Sequence, residues 1–172
     1  EFPELQGIMG GHLSYFQGFD KEIYEAVNEQ YLPTGPHSNV SKKPYSITLS
    51  LSDRIDTLVG FFGINEKPSS SKDPYALRRV AYGIIRIIIE NKKDIKINDI
   101  ISYSLNIYLD QDFKFSNNNI IKDISFFLKD RFKYYLKDKN CRPDIVDAAV
   151  KILDLNKIST TYEKAKSLNK II

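Results

Sequence analysis

Hydrophobic residues recur along the chain at helical spacing, and no alternating pattern of any length competes with them. Asp20 is a residue suited to capping a helix. After it, apolar residues lie on one face and glutamates on the other face of a predicted helix that ends before Pro33. Residues 32–43 contain two prolines and one glycine without periodicity, which predicts a loop. The next apolar stripe predicts a helix that ends near Gly63, and its members are Ile47, Leu51, Ile55, Leu58 and Phe62.

The second part of the chain carries clear signals for helix starts. Asp73 and Pro74 predict the start of a helix, with Asp73 as N-cap and Pro74 at the first helical position. The isoleucine-rich run at residues 84–89 has strand propensity, but the capped pattern before it favours a buried helix. Further helix starts are predicted at Asn98, after Asn117–Asn119, at Pro143, and at Thr160 with Glu163. The pattern therefore predicts an all-α fold, a helical bundle.

Composition narrows the class of protein. The chain has 172 residues, of which 42% are hydrophobic and 27% charged, which favours one or two globular domains over disorder. Its single cysteine, Cys141, excludes an internal disulfide and favours a reducing cytoplasm. The longest apolar run is too short for a membrane span, so we expect no membrane partner. Since the chain begins with Glu1 and lacks an initiator methionine, we interpret it as a fragment.

Charge divides the chain into two regions. Residues 1–66 carry nine acidic and four basic side chains, whereas residues 67–172 carry 13 acidic and 21 basic ones. The polar segment 65–72 coincides with the change of sign and predicts a boundary there. The basic region suits contact with a polyanion, although lysine-rich helices with solvated faces would have the same composition.

Motifs for catalysis and metal binding are weak. His12 and His37 lie in unfavourable contexts, the glycines of residues 7–11 resemble a phosphate loop only in composition, and we predict no catalytic residue. Asp53 and Asp56 are three residues apart on one helical face, as two ligands of a divalent metal would be. An exposed polar face has the same pattern. We therefore predict no metal site, with these two aspartates as the weak candidates.

Arginines concentrate near the Asp73 helix start, where four of the chain's six lie between residues 54 and 86. Arg78, Tyr82 and Arg86 follow each other at four-residue intervals, which predicts a cationic and aromatic stripe opposite the isoleucines. A second basic stripe runs beside aromatic residues on the helix after Asn119. Such surfaces suit RNA phosphates. The predicted RNA-contacting residues are Lys72, Arg78, Arg79, Arg86, Lys129 and Lys133.

Three stretches, residues 1–10, 52–64 and 71–79, together resemble the β subunit of bacterial heterotetrameric glycyl-tRNA synthetase. Weaker similarity continues through Arg131 to the segment 142–148. The resemblance implies an interior piece of that subunit. Residues 1–66 would be the C-terminal part of an HD-like helical region, and residues 67–172 a helical, anticodon-binding-like region that contacts tRNA.

The resemblance also implies a division of labour. The α subunit of this class II aminoacyl-tRNA synthetase would use ATP and Mg²⁺ to activate glycine, so that this fragment holds no cofactor and is inactive alone. The β subunit would bind glycine tRNA and the α subunit within an α2β2 heterotetramer in the cytoplasm, and would position the tRNA for aminoacylation.

Two alternatives remain open at this stage. The stretch around Asp53 also resembles the last helix of HD-type metal-dependent phosphohydrolases, in which Asp53 would be the terminal metal ligand. The chain lacks the histidine and the His-Asp pair that supply the other ligands of that fold. The second alternative is a purely structural helical module that docks another subunit through the acidic region 1–66.

Overall fold

The computed structural model describes residues 2–171, so Glu1, the first residue of the resemblance, lies outside the described part. The described residues form eight α-helices and two short 3₁₀ turns, joined by loops, and contain no strand. This confirms the all-α prediction. The helices are α1 (Ile8–Phe16), α2 (Lys21–Glu29), α3 (Pro44–Gly63), α4 (Leu77–Glu90), α5 (Ile97–Asp110), α6 (Ile120–Asp138), α7 (Pro143–Ile152) and α8 (Ile158–Ile171). The 3₁₀ turns are Pro3–Leu5 and Leu155–Lys157.

Helices α1 and α2 form a hairpin that packs on α3 through α2. The sequence did not predict α1, because glycine lowers helix propensity and this helix contains Gly10 and Gly11. Both glycines are needed for packing. A Cβ atom on Gly11 would lie 2.7 Å from the Cβ atom of Asn28, and one on Gly10 would lie 2.9 Å from Cγ1 of Val27. The glycines thus let the backbones of α1 and α2 approach closely.

Helix α4 lies at the centre of the bundle, in contact with α3, α6 and α8. Every residue from Gly83 to Ile89 is buried, which confirms the prediction of a buried helix at the isoleucine run. The other helices complete one hydrophobic core, in which α6 packs on α7 and α7 on α8. Neither α4 nor any other helix in the described part of the chain is long and apolar enough to cross a membrane.

Two predicted helix starts differ from the structure in informative ways. The Asp73 carboxylate accepts hydrogen bonds from the backbone N–H groups of Leu77 and Arg78, at 2.8 and 3.0 Å. The Asp73 side chain therefore does cap α4, but it does so from outside the helix: the N-cap residue is Ala76, whose φ is 53°, and the helix begins at Leu77. The predictions of Asp73 as the N-cap residue and of Pro74 as the first helical residue were wrong.

Helix α8 begins two residues before Thr160, and its cap comes from outside the helix. The Asp94 carboxylate accepts hydrogen bonds from the backbone N–H groups of Ser159 and Thr160, at 2.9 and 3.2 Å. The start of α7 at Pro143 and the start of α6 directly after Asn119 agree with the sequence, and α5 begins one residue before Asn98.

The segment 65–72 lies on the surface of the bundle, within the connection between α3 and α4. Core side chains come from both sides of it, including Ile55 and Phe62 of α3 and Ile84 of α4. The regions 1–66 and 67–172 therefore differ in charge, but one hydrophobic core runs across the boundary between them.

Candidate nucleic-acid interface

A cleft of about 450 Å³ opens between α4, α6 and the loop that contains Pro33, Gly35 and Pro36. We call it the α4–α6 cleft. It brings together three arginines, two tyrosines and one aspartate from the two helices: Arg78, Arg79, Tyr82, Arg131, Tyr134 and Asp138. The volume lies within the range of about 300–1,000 Å³ that is usual for small-ligand pockets.

The α6 wall of the cleft consists of a stacked arginine and tyrosine. The guanidinium carbon of Arg131 lies 4.1 Å from the ring centroid of Tyr134 and 5.6 Å from that of Phe127, and the guanidinium forms an ion pair with Asp130. Tyr134 keeps 54% of its surface exposed. Since Arg131 covers part of the ring, the remaining exposed surface is a flat aromatic platform at the cleft.

The α4 wall supplies the positive charge at the start of the helix. Arg79 is exposed, whereas Arg78 donates a hydrogen bond to the backbone carbonyl oxygen of Ser69. Lys72 is tied to the same serine, because the Ser69 N–H donates to the carbonyl oxygen of Lys72 at 2.9 Å and the Lys72 N–H donates to Ser69 Oγ at 3.2 Å. Lys72, Arg78 and Arg79 therefore share one neighbourhood, as the sequence predicted.

A hydrogen-bonded pair spans the cleft between the two helices. The Tyr82 hydroxyl donates to Oδ2 of Asp138 at 3.2 Å. Burial, together with the negative charge of Asp138, raises the pKa of Tyr82 to about 12. The tyrosine is thus neutral at physiological pH and remains a hydrogen-bond donor.

The loop wall is anchored by Arg86, which was predicted to contact RNA. Arg86 is 6% exposed, and its two Nη atoms donate to the carbonyl oxygens of Gly35 and Ser38, at 2.7 and 2.8 Å, while Nε pairs with Glu90 at 2.7 Å. The prediction of a stripe formed by Arg78, Tyr82 and Arg86 required one side of α4 to face solvent along its whole length. This was wrong beyond the first turns, because other parts of the fold cover the helix on every side from Gly83 to Ile89.

A second buried arginine, Arg54 of α3, anchors the same loop. It is 7% exposed, and its Nη2 donates to the carbonyl oxygens of Tyr31 and Pro33, at 2.8 and 3.2 Å. Burial lowers the pKa of Arg54. The guanidinium packs against Gly83, where a Cβ atom would lie 2.7 Å from Nη1.

Sequence reasoning assigned no role to Arg54 or Gly83, although two signals pointed to them. Helical spacing places Ser50 and Arg54 beside the apolar stripe of α3, and Gly83 interrupts an otherwise bulky helix. Together, these two signals indicate that a buried arginine of one helix packs against a glycine of another.

Lys129 and Lys133, the other two predicted RNA contacts, lie on a different side of α6 from the cleft. Lys129 precedes Arg131 by two residues, which corresponds to about 160° around a helix. Lys133 pairs with Oδ1 of Asp147 on α7 at 2.9 Å, and this hydrogen bond raises the pKa of Lys133. Of the six predicted residues, Arg78 and Arg79 therefore line the cleft and Lys72 lies in the adjoining loop. Lys133 faces α7, Lys129 lies one helical turn before it on α6, and Arg86 is buried.

One of the two candidate metal ligands, Asp56, has structural partners. Asp56 accepts hydrogen bonds from Ser104 Oγ and the Tyr108 hydroxyl of α5, at 3.3 and 3.2 Å, and so links α3 to α5. Burial and the charge of Asp56 raise the pKa of Asp53, against the opposing effect of Arg54. In the part of the chain that the structure describes, no three His, Cys, Asp or Glu side chains cluster as a metal site requires.

Comparisons with known proteins agree with the resemblance. The model of the family described as glycyl-tRNA synthetase beta subunit matches residues 1–151. A glycine–tRNA ligase beta subunit from Ruegeria is 36% identical over 98% of the chain, and those from Rickettsia africae and Rickettsia canadensis are 43% and 45% identical over 95% and 91% of it. The chain spans only 22–23% of the length of these relatives.

Proposed function

The chain belongs to the glycyl-tRNA synthetase beta subunit family, and we propose that it is a tRNA-contacting part of that subunit. In this proposal the chain holds tRNA so that its acceptor end reaches the active site of the α subunit. The α subunit uses ATP and Mg²⁺ to activate glycine, and this chain alone is inactive. The working enzyme is a cytoplasmic α2β2 class II ligase.

The observation that supports tRNA contact is the grouping of Arg78, Arg79 and Arg131 at one cleft, with Lys72 in the adjoining loop. Arginine presents a planar, doubly donating group that suits phosphate oxygens. The Asp73 cap fixes the direction in which Arg78 and Arg79 leave the start of α4. We leave Arg86 out of the proposed surface because its guanidinium is occupied inside the protein.

Lys129 and Lys133 form a separate, weaker part of the proposal. They would contact a second stretch of the tRNA backbone, and Lys133 would have to give up its ion pair with Asp147. We therefore expect their substitution to weaken binding less than substitution at the cleft does.

The test is a titration of this chain into fluorescently labelled glycine tRNA at several salt concentrations. We expect the Arg78→Ala/Arg79→Ala variant to bind about tenfold or more weakly. The slope of log affinity against log salt concentration should become shallower by about one to two, because Arg79 is exposed whereas Arg78 already donates to the carbonyl oxygen of Ser69. A non-cognate tRNA in parallel measures whether identity is read as well.

The control removes charge elsewhere. The matched variant Arg142→Ala/Lys151→Ala takes two exposed positive charges from α7 and its N-cap. If both double variants weaken binding equally, the effect is one of net charge and the cleft has no special role. Absence of binding at low salt would contradict the proposal outright.

A second candidate function, docking of another subunit, is favoured by the exposed apolar side chains of the α1 hairpin and its flanks. These are Phe2, Ile8, Met9, Leu13, Phe16 and Phe19. Purified α subunit should bind this chain, and Leu13→Ser/Phe16→Ser should weaken that binding while tRNA affinity is unchanged. Unaltered affinity for the α subunit would exclude the hairpin as its docking site.

A further inference from the structure

We propose that the α4–α6 cleft holds one unpaired nucleotide of an RNA strand, with the base on Tyr134 and the neighbouring phosphate on Arg79. This inference rests on the proposed function and narrows it from a charged surface to a site for single-stranded RNA. The geometry on each wall of the cleft points to a different part of the nucleotide.

The base has a stacking surface. Proteins recognise unpaired bases by stacking them on aromatic rings and on guanidinium planes, and here Arg131 and Tyr134 already stack on each other at 4.1 Å. Tyr134 is 54% exposed and lines the cleft together with Pro33, Gly35 and Pro36 of the loop wall. The cleft volume of about 450 Å³ is large enough for a flat group of the size of a base.

The phosphate has cationic partners at the α4 side. Asp73 occupies the first backbone N–H groups of α4, so the helix terminus itself is not open to an anion. The side chains of Arg78 and Arg79 provide the charge instead. Arg79 is exposed and takes the phosphate directly, while Arg78, which already donates to the carbonyl oxygen of Ser69, adds its positive charge from the side.

The edge of the base has polar groups to contact, because Tyr82 and Asp138 line the same cleft. Asp138 accepts from Tyr82 through Oδ2, and its carboxylate is also able to accept from the amino or imino N–H groups of a base. Those N–H groups are engaged by base pairing in a duplex and become available in an unpaired strand. The cleft therefore favours single-stranded RNA over duplex RNA.

The site is preformed. Arg86 and Arg54 hold the loop wall through four hydrogen bonds to the backbone carbonyl oxygens of Tyr31, Pro33, Gly35 and Ser38. A ligand thus meets a wall that is already ordered, which reduces the entropy lost on binding.

The experiment compares two probes, a fluorescein-labelled single-stranded RNA of about 12 nucleotides with mixed sequence and the blunt duplex of the same sequence. We expect the single strand to bind about tenfold or more tightly than the duplex. Tyr134→Ala should weaken single-strand binding about tenfold without changing its salt dependence, since stacking releases no counterions. Tyr134→Phe keeps the ring and should bind like the unaltered chain.

The matched control is Tyr103→Ala, which removes an exposed tyrosine from α5, away from the cleft. Because Tyr134 is exposed, its substitution should leave the circular dichroism spectrum unchanged. Equal binding of the single strand and the duplex, or equal affinity of Tyr134→Ala and the unaltered chain, would overturn the nucleotide site. The tRNA titration with Arg78→Ala/Arg79→Ala tests the charged surface separately, so this inference can fail while the proposed function stands.

Discussion

The α1–α2 hairpin and the bundle of α3–α8 hold their helices together by different means. In the bundle, large side chains such as Ile84, Leu128 and Phe132 are completely buried. In the hairpin, the residues that the structure buries are Gly11 and Ala26. Close approach of the backbones and an edge-to-face contact between Tyr15 and Tyr24 hold the two helices together without burial of large side chains. The apolar side chains of α1 instead point to solvent, among them Phe16 at 79% exposure.

The difference indicates which region stabilises the fold and which offers surface. Burial of apolar area is the dominant favourable term in folding, and it is concentrated in the bundle. A hairpin with little apolar burial belongs to the low-stability end of a structure, where local opening is easiest. We therefore expect substitutions in the bundle to change global stability, and those in the hairpin to change local opening and binding.

The largest expected effect contrasts two phenylalanines. Phe132→Ala removes a ring that is 0% exposed and should lower the free energy of unfolding by about 3–5 kcal/mol, because a cavity is left in a dense core. Phe16→Ala in the hairpin should change it by no more than about 0.5 kcal/mol. Urea unfolding followed by circular dichroism measures both. Similar losses for the two variants would break the comparison.

The next effect concerns Arg54, which connects α3 of the bundle to the loop that follows the hairpin. Gly83→Ala places a Cβ atom 2.7 Å from Arg54 Nη1, and the arginine is unable to retreat without loosening its hydrogen bonds to Tyr31 and Pro33. We expect a net loss of about 1–2 kcal/mol, even though alanine is the better helix former. Urea unfolding provides the value.

Gly35→Ala is the control, since a Cβ atom there meets nothing within 4 Å. In an Arg54→Ala background, Gly83→Ala should cost less than it does alone, because the contact is no longer present. Additive losses in the double variant would show that Gly83 acts independently of Arg54.

A smaller and local effect is expected in the hairpin. Gly11→Ala brings a Cβ atom within 2.7 Å of Asn28 Cβ and 3.1 Å of the Tyr24 carbonyl oxygen, so α1 must move away from α2. Amide hydrogen exchange should accelerate in α1 and α2 and stay unchanged in α4. His12→Ala, on the exposed side of α1, serves as the control. Faster exchange in α4 as well would mean that the hairpin and the bundle open together.

Much of the bundle could be predicted from the sequence because its signals are local. The isoleucine run after Asp73 predicts a buried helix, and Pro143 and Asn119 mark helix starts within their own segments. The cap of α8 could not be predicted in this way. Asp94, which supplies it, is 65 residues away from Ser159 along the chain, so only the tertiary fold brings them together.

Only part of the candidate site could be predicted, because sequence patterns describe single helices and not how helices pack on each other. Periodicity placed Arg78 and Arg86 on one face of α4, but it carries no information on how many neighbours surround that helix, and Arg86 is buried. Similarly, the stack of Arg131 on Tyr134 follows from their positions on α6, whereas their juxtaposition with Arg79 depends on how α4 and α6 pack.

The smallest expected effect is pH-dependent and lies where the hairpin meets the bundle. Partial burial acts to raise the pKa of Glu29 on α2, but hydrogen bonds from Lys43 and Ser41, with the charge of Lys43, outweigh it and hold the pKa below its ordinary value. A lowered pKa means that this contribution to stability is present above the ordinary value of about 4.3 and disappears as pH falls through the lowered one.

Exchange protection of α2 should therefore fall slightly between neutral pH and the acid side of this transition, and Glu29→Gln should remove about 0.5 kcal/mol or less of stability at pH 7, since the pair lies near the surface. Glu22→Gln, at an exposed position on the same helix, provides the control. If Glu29→Gln retained the full pH dependence of α2 protection, Glu29 would not be its source, and Glu25, which also pairs with Lys43 at 3.2 Å, would join the hairpin to the bundle instead.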